Sequence, residues 1–260
     1  MDEKRRLSFG GVAELYDRSR PSYPAPLVDD VVEFARAASG DRVLEVGAGT
    51  GKATVLFAQR GLSVVGLEPS AEMAAVARRN CAAYENVTIV RAEFERWRPD
   101  GHPFRLLFSA QAWHWIAPDV RYHAARAVLE PGGALALFWN APDWACTELR
   151  DELAHVYRRN GRADVTDDPM NPCAPLGDED WPQEIAATEG FGGPQVRNYR
   201  WKVSYTTAEY LDLLGTHSPI VILDEPRRRR LLADVAGVID AHAGTVDLSY
   251  VTRLCLARAT

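Results

Sequence analysis

The feature that most constrains this chain is the run Arg42-Val43-Leu44-Glu45-Val46-Gly47-Ala48-Gly49-Thr50-Gly51. Arg42 to Val46 reads as a short apolar strand, and Ala53 to Arg60 as a helix closed by Gly61 at its C′ position. Between them the glycines let the backbone turn tightly and let a ligand approach without meeting a Cβ. A strand that feeds a helix through such a turn is half of a crossover, and the crossover requires a parallel partner strand.

The rest of the chain supplies the partners. Leu27 to Ala38 is helical by its apolar spacing, and Ser39-Gly40-Asp41 stops it before the first strand. A second strand, Leu62 to Leu67, runs to Glu68-Pro69, and Ser70 is placed to cap a helix over Ala71 to Tyr84. Strands are predicted over Val87 to Arg91 and Phe104 to Ser109, then a helix over Val120 to Leu129. Pro131-Gly132-Gly133 turns the chain into a fifth strand, Ala134 to Trp139.

Strands alternating with helices at this spacing predict an α/β fold with right-handed crossovers. The expected architecture is a doubly wound (Rossmann-like), mostly parallel seven-stranded sheet with helices on both faces. Past Asn140 the pattern loosens: a helix Glu148 to Arg159, a long loop Thr166 to Pro182, then a strand Gln195 to Tyr205. Helices Thr207 to Leu214 and Pro226 to Ala243 and a strand Tyr250 to Arg258 close the chain. The division expected is an N-terminal lid arm at 1–26 and a cofactor-binding core at 27–140. A small inserted cap or substrate region follows at 141–194, and the closing strands and helices of the sheet at 195–260.

Composition narrows the partners. With 260 residues and 47% hydrophobic residues, the chain is long enough for a core that needs no disulfides. Cys81, Cys146, Cys173 and Cys255 form no CxxC pair, which predicts reduced thiols in a cytoplasm. MDEKRRLSFGG has no apolar segment behind its charges, so a signal peptide is not expected, and no apolar run approaches the roughly 20 residues that span a bilayer. A formal net charge of -6 argues against binding a phosphate backbone. The basic run Arg227 to Arg230 reads as a solvated helix face. The expected partner is a small-molecule substrate, with no nucleic acid, no membrane and no metal, for a monomer or homodimer in the cytoplasm. No metal is expected because the six histidines do not pair with carboxylates at ligand spacing.

The spacing of the glycines bears on the ligand. Dinucleotide sites favour G-x-G-x-x-G, with a pyrophosphate at the helix N-terminus. Here Gly47, Gly49 and Gly51 form G-x-G-x-G with Glu45 two residues ahead, a form suited to an adenosine ligand without phosphates. Glu45 would repel a diphosphate and favour a cationic amino-acid moiety. Glu68, about 20 residues past the loop, is placed to accept from ribose hydroxyls.

LEVGAGTGKAT, GLEPSAEM, AEFERW, FSAQAWHWI and LEPGGALALFWN together resemble the successive motifs of class I S-adenosylmethionine-dependent methyltransferases. YDRSRPSYP and AQAWHW are similar to the branch related to trans-aconitate methyltransferases. The resemblance covers about residues 9 to 140 and implies S-adenosyl-L-methionine as cofactor. It implies that Gly47, Ala48 and Gly49 lie against the methionine part, and that Glu68 binds the ribose while Pro69, Ser70 and Met73 shape the adenine pocket. It places Glu93 at the adenine amino group with Phe94 beside the ring, and the backbone of Ser109, Ala110 and Gln111 at the cofactor's ammonium. Tyr16 and Arg20 would meet the methionine carboxylate from a folded-over arm that also carries Phe9. Tyr23, Trp113, Trp115, Trp139 and Asn140 would wall the substrate pocket. His114 is open between a general base near neutral pH and a packed histidine at a helix start; Trp144, Trp181 and Trp201 read as core. The activity implied is in-line methyl transfer to a small-molecule O, N or C nucleophile. An NAD-dependent oxidoreductase and a non-catalytic methyltransferase-like binding domain stay open as alternatives.

Overall fold

The computed structural model describes residues 12–144, 147–162, 170–172 and 180–260. Phe9, Cys146, Cys173 and most of the loop expected over Thr166 to Pro182 lie outside these residues. The elements run α1 (Ala13–Ser19), α2 (Ala25–Ala35), β1 (Arg42–Val46), α3 (Lys52–Ala58), β2 (Ser63–Leu67), α4 (Ala71–Asn80), β3 (Val87–Val90) and β4 (Phe104–Ala110). A 3-10 turn at Trp113–Trp115 leads to α5 (Pro118–Val128) and β5 (Leu129–Asp143). Then come α6 (Glu148–Arg159), α7 (Trp181–Ala186), β6 (Gln195–Thr206), α8 (Thr207–Leu214), α9 (Ser218–Val221), α10 (Glu225–Ala241) and β7 (Thr245–Arg258).

These strands form one seven-stranded sheet in the order β3-β2-β1-β4-β5-β7-β6. The first five are parallel; β7 enters antiparallel between β5 and β6. The chain winds outward from β1 to β3 and returns to β4 on the other side of β1. That reversal opens a crevice beyond the carboxyl ends of β1 and β4, where ligands bind in folds of this kind.

Alternation along the strands sorts the core into two faces. Leu44, Val46, Leu107, Leu135, Leu137 and Trp139 pack with Trp113, Tyr122 and Ala125 on one side. Val43, Leu106, Phe108, Ala136 and Phe138 pack against Leu27, Val31 and Phe57 on the other. A third cluster joins α6, α8 and α10 to β6 and β7 through Leu153, Tyr157, Leu213, Val235 and Tyr250. Each large apolar side chain so enclosed contributes about 1.5–3 kcal/mol. The described residues of 141–194 dock on this frame: α6 joins the third cluster, and Trp181 meets Trp139 edge-on at 4.1 Å.

Several boundaries differ from expectation for local reasons. Helix α2 stops at Ala35 because Arg36 takes a left-handed conformation at φ 52°, and Ala243 at φ 66° stands just past α10. Strand β5 begins before Pro131-Gly132-Gly133 rather than after it. Phe104 pairs with Leu129 and Leu106 with Ala134, so that tripeptide is bulged out within the strand. Strand β7 starts at Thr245, and α7 and α9 are short helices that the sequence pattern does not mark. Arg227 and Arg229 pair with Asp224 and Glu225 on the exposed start of α10. Cys81 and Cys255 are free and buried, and burial pushes both thiols up to about 11. No helix of the described residues is long and apolar enough to cross a membrane.

Candidate active site

The loop after β1 is tied to the end of β2. The backbone N–H groups of Gly47 and Ala48 both donate to the carbonyl of Leu67, each at 2.9 Å. Gly47 has φ 77°, and a Cβ there would stand 2.3 Å from the Cβ of Ala112. Glycine is therefore required twice over at that position. Gly49 donates its N–H to Glu68 Oε2 at 2.9 Å, and Ser70 donates its N–H to Oε1 at 2.8 Å. Two backbone donors, one on each oxygen, thus hold the buried Glu68 carboxylate in one orientation. Ser70 also accepts from Met73 N–H at 3.3 Å, the helix cap the sequence predicts. Thr50 is fully buried, and its hydroxyl has no hydrogen-bond partner among the described residues.

A pocket opens over this loop. Gly47, Ala48, Gly49, Thr50, Lys52 and Ala53 line it from the loop, and Ala110 and Gln111 from the end of β4. Glu45 lines its floor, and Tyr16, Arg20, Pro21 and Tyr23 close it from the N-terminal arm. Glu45 is 1% exposed and accepts from Thr54 Oγ1 at 2.5 Å. Burial raises its pKa to about 8, with Glu68 adding to the rise and Thr54 opposing it. This corrects the expectation of a diphosphate-repelling charge: in the free protein most Glu45 carboxyls are protonated at pH 7. A cation brought into the pocket would favour the ionised form.

The far wall is set by β4. Ser109 donates its hydroxyl to the Val46 carbonyl at 2.7 Å, stitching β4 to β1. Gln111 takes a left-handed φ of 60°, which is unusual for a non-glycine residue and occurs where surroundings impose it. Its N–H donates to Phe138 O at 3.0 Å and its side chain to Asn140 O at 3.4 Å.

The arm is anchored at several points. Ala13 and Tyr16 on α1 pack on Met73 and Val76 of α4. Arg79 clasps Glu14 at 2.6 and 2.9 Å, and Arg18 meets Asp212 at 3.3 Å. Arg20 donates from Nε to Thr216 Oγ1 at 2.7 Å and from Nη2 to the Thr216 carbonyl at 3.0 Å. Its guanidinium lies 4.9 Å from the Tyr16 ring centroid. Tyr23 is edge-on to Phe138 at 4.9 Å, and burial holds its phenol well above the usual range.

Tyr16, Arg20, Tyr23, Glu45, Gly47, Ala48, Gly49, Ala110 and Gln111 are thus brought together in one pocket, with Glu68 hydrogen-bonded to it. Other expected residues lie elsewhere. Met73 packs under the loop, its methyl 3.9 Å from the Cβ position of Gly49. Pro69 follows Glu68 at the start of α4, and Glu93 pairs with Arg96 at 3.3 Å. Phe94 faces Trp113 within the core, centroids 6.1 Å apart. Trp113 itself is fully buried against Tyr122, so it is core and not an exposed pocket wall. Trp115 lies against His114, and Trp139 against Trp181. Asn140 is 6% exposed and engaged at both ends of its amide: it donates to Ser22 O at 3.0 Å and accepts from Thr252 at 2.6 Å. It straps the arm to the sheet. Burial, and then the Arg121 charge, hold His114 at about 4. Its imidazole is neutral at pH 7, which favours the packed histidine of the two readings. Pro21, Thr50, Lys52 and Ala53 also line the pocket and were missed. A lysine in the first helical turn, where the helix dipole favours acids, was the signal for Lys52.

A family model for the methyltransferase domain matches residues 43–133. An uncharacterized methyltransferase of Mycobacterium tuberculosis is 31% identical over 259 residues, covering 98% of this chain and 96% of its own. The chain belongs to the methyltransferase family. This methyltransferase shares its fold with a protein solved from Anaeromyxobacter dehalogenans and described as a candidate type II methyltransferase. The TM-score is 0.65 at 21% identity, over 92% of this chain and 97% of that one. It also resembles a SAM-dependent methyltransferase from Thiobacillus denitrificans solved with S-adenosyl-L-homocysteine. There the TM-score is 0.53 at 16% identity, with both chains fully covered. The pocket of the methyltransferase thus lies at the carboxyl edge of a sheet shared with these enzymes.

Proposed function

We propose that this methyltransferase binds S-adenosylmethionine over the glycine loop and transfers its methyl group to a small-molecule acceptor. The observation that carries the reading is Glu68, whose carboxylate is held by the N–H groups of Ser70 and of Gly49, itself a lining residue of the glycine-lined pocket. An acid fixed in this way is suited to accept from both hydroxyls of a ribose. The residues present fit such a cofactor: the buried Thr50 hydroxyl lacks a partner among the described residues. Glu45 would gain its charge beside an ammonium or sulfonium, and Arg20 would receive a carboxylate. Pro69, Met73, Glu93 and Phe94 would border the cofactor's adenine side. The backbone of Ser109, Ala110 and Gln111 would face the ammonium.

The cofactor supplies an electrophilic methyl on a sulfonium. The chain's own part is to hold the acceptor in line at about 3–3.5 Å from that carbon, and to exclude water beneath the arm formed by α1, Arg20 and Tyr23. Calorimetric titration of S-adenosylhomocysteine into the wild type and Glu68→Ala tests the reading. Removing a charge-assisted bond worth roughly 1.5–3 kcal/mol should weaken binding at least about tenfold. A folded variant with unchanged affinity contradicts the assigned role of the acid.

A further inference from the structure

Lys52 is the first residue of α3, immediately after the last glycine of the loop, and it lines the pocket together with Arg20. It is half-buried, and among the described residues no carboxylate lies within ion-pairing distance of its ammonium. Asp17 acts on it only from farther away, while burial lowers its pKa. Asp17 is itself hydrogen-bonded to Asn80 at 2.9 Å. A cation withdrawn from water without a partner is costly, and nothing in the helix offsets that, since a cation in the first turn opposes the helix dipole. Arg20, the other cation of the pocket, is already committed along one edge, with Nε and Nη2 on Thr216. Its remaining edge cannot fill the roughly four lone-pair sites of a carboxylate.

We propose that Lys52 completes a two-cation clamp, its ammonium and the free edge of Arg20 binding the same carboxylate at the amino-acid end of the cofactor. The inference rests on the reading of the pocket as the methionine end of an S-adenosylmethionine site. Arg20 reaches the carboxylate from the arm and Lys52 from the helix after the glycine loop, so a ligand carrying that group ties the arm to the sheet core.

Two ligands that differ only at that end separate the possibilities. S-adenosylhomocysteine carries the amino-acid carboxylate; 5′-methylthioadenosine has the same adenosine and thioether without it. In calorimetry, Lys52→Gln should bind S-adenosylhomocysteine about tenfold more weakly than the wild type. Affinity for methylthioadenosine should stay within about twofold, and Lys52→Arg should restore most of the loss. Unchanged affinity for S-adenosylhomocysteine in Lys52→Gln overturns the proposal, and so does an equal fall for both ligands, which would mean a general loosening of the loop. A wild type that binds neither ligand overturns the cofactor reading itself. A second measurement needs no variant: acylation of wild-type lysines by a succinimidyl ester, followed by peptide mass spectrometry. Saturating S-adenosylhomocysteine should protect Lys52 several-fold and methylthioadenosine should not; equal labelling of Lys52 with and without S-adenosylhomocysteine overturns the clamp.

Discussion

Burial raises the pKa of the Glu45 carboxyl, and this has a consequence for stability. Its folded pKa of about 8 lies above the ordinary value near 4.5. Between those limits the folded chain retains a proton that the unfolded chain has lost. Stability from this group is therefore lost as pH rises through that window. Glu45→Gln keeps an acceptor for Thr54 and removes the titration. Relative to the wild type it should gain on the order of 3 kcal/mol between pH 5.5 and pH 8.5, read from urea unfolding at the two values. A gain that is the same at both pH values contradicts the raised pKa. At this scale the glycines and Glu68 were legible, because their roles follow from backbone geometry and from position after a strand. Trp113 and His114 were not. An aromatic beyond a strand end suits a pocket wall and a core equally, and the partners that decide, Phe94 and Tyr122, come from distant segments.

The arm shows how elements divide the work. Helix α1 is fastened by exposed ion pairs that contribute little each, Glu14 to Arg79 of α4 and Arg18 to Asp212 of α8, and the segment after it is tied to the sheet through Asn140 and the carbonyl of Ser22. Only Ala13 of α1 is buried, so the arm has the small apolar contact typical of segments that open locally. We expect amides between Ala13 and Tyr23 to exchange faster without ligand than with saturating S-adenosylhomocysteine, as measured by hydrogen exchange and mass spectrometry. Equal protection in both states would make the arm a fixed strap and not a lid. Element identity was largely readable here from the periods of apolar residues, as for Arg42–Val46, Glu148–Arg159 and Thr207–Leu214, whose bounds the structure reproduces. The ends that shifted depend on left-handed residues such as Arg36 and Ala243. No residue preference announces these, because their conformation is imposed by packing. The extension of β5 through Pro131-Gly132-Gly133 likewise depends on pairing with Phe104, a contact outside the local pattern.

For the molecule as a whole, the parallel half of the sheet follows from crossover handedness and strand spacing, and with it the crevice beyond β1 and β4. The insertion of β7 between β5 and β6 does not follow in the same way. A strand's order in a sheet depends on which edge remains open when it arrives, and β6 and β7 read alike in sequence. That topology nonetheless matters to the site, because Thr252 on β7 holds Asn140, and Thr216 past α8 holds Arg20. The C-terminal third thus braces a pocket whose recognisable motifs lie in the first half. The central claim is that this pocket takes an adenosine-linked amino acid in place of a dinucleotide. Parallel calorimetric titrations of the purified protein with S-adenosylhomocysteine and with NAD test it directly. The account predicts one-to-one binding of S-adenosylhomocysteine, at least a hundredfold tighter than NAD, a difference of about 2.7 kcal/mol. Equal affinity, or a preference for NAD, would contradict it.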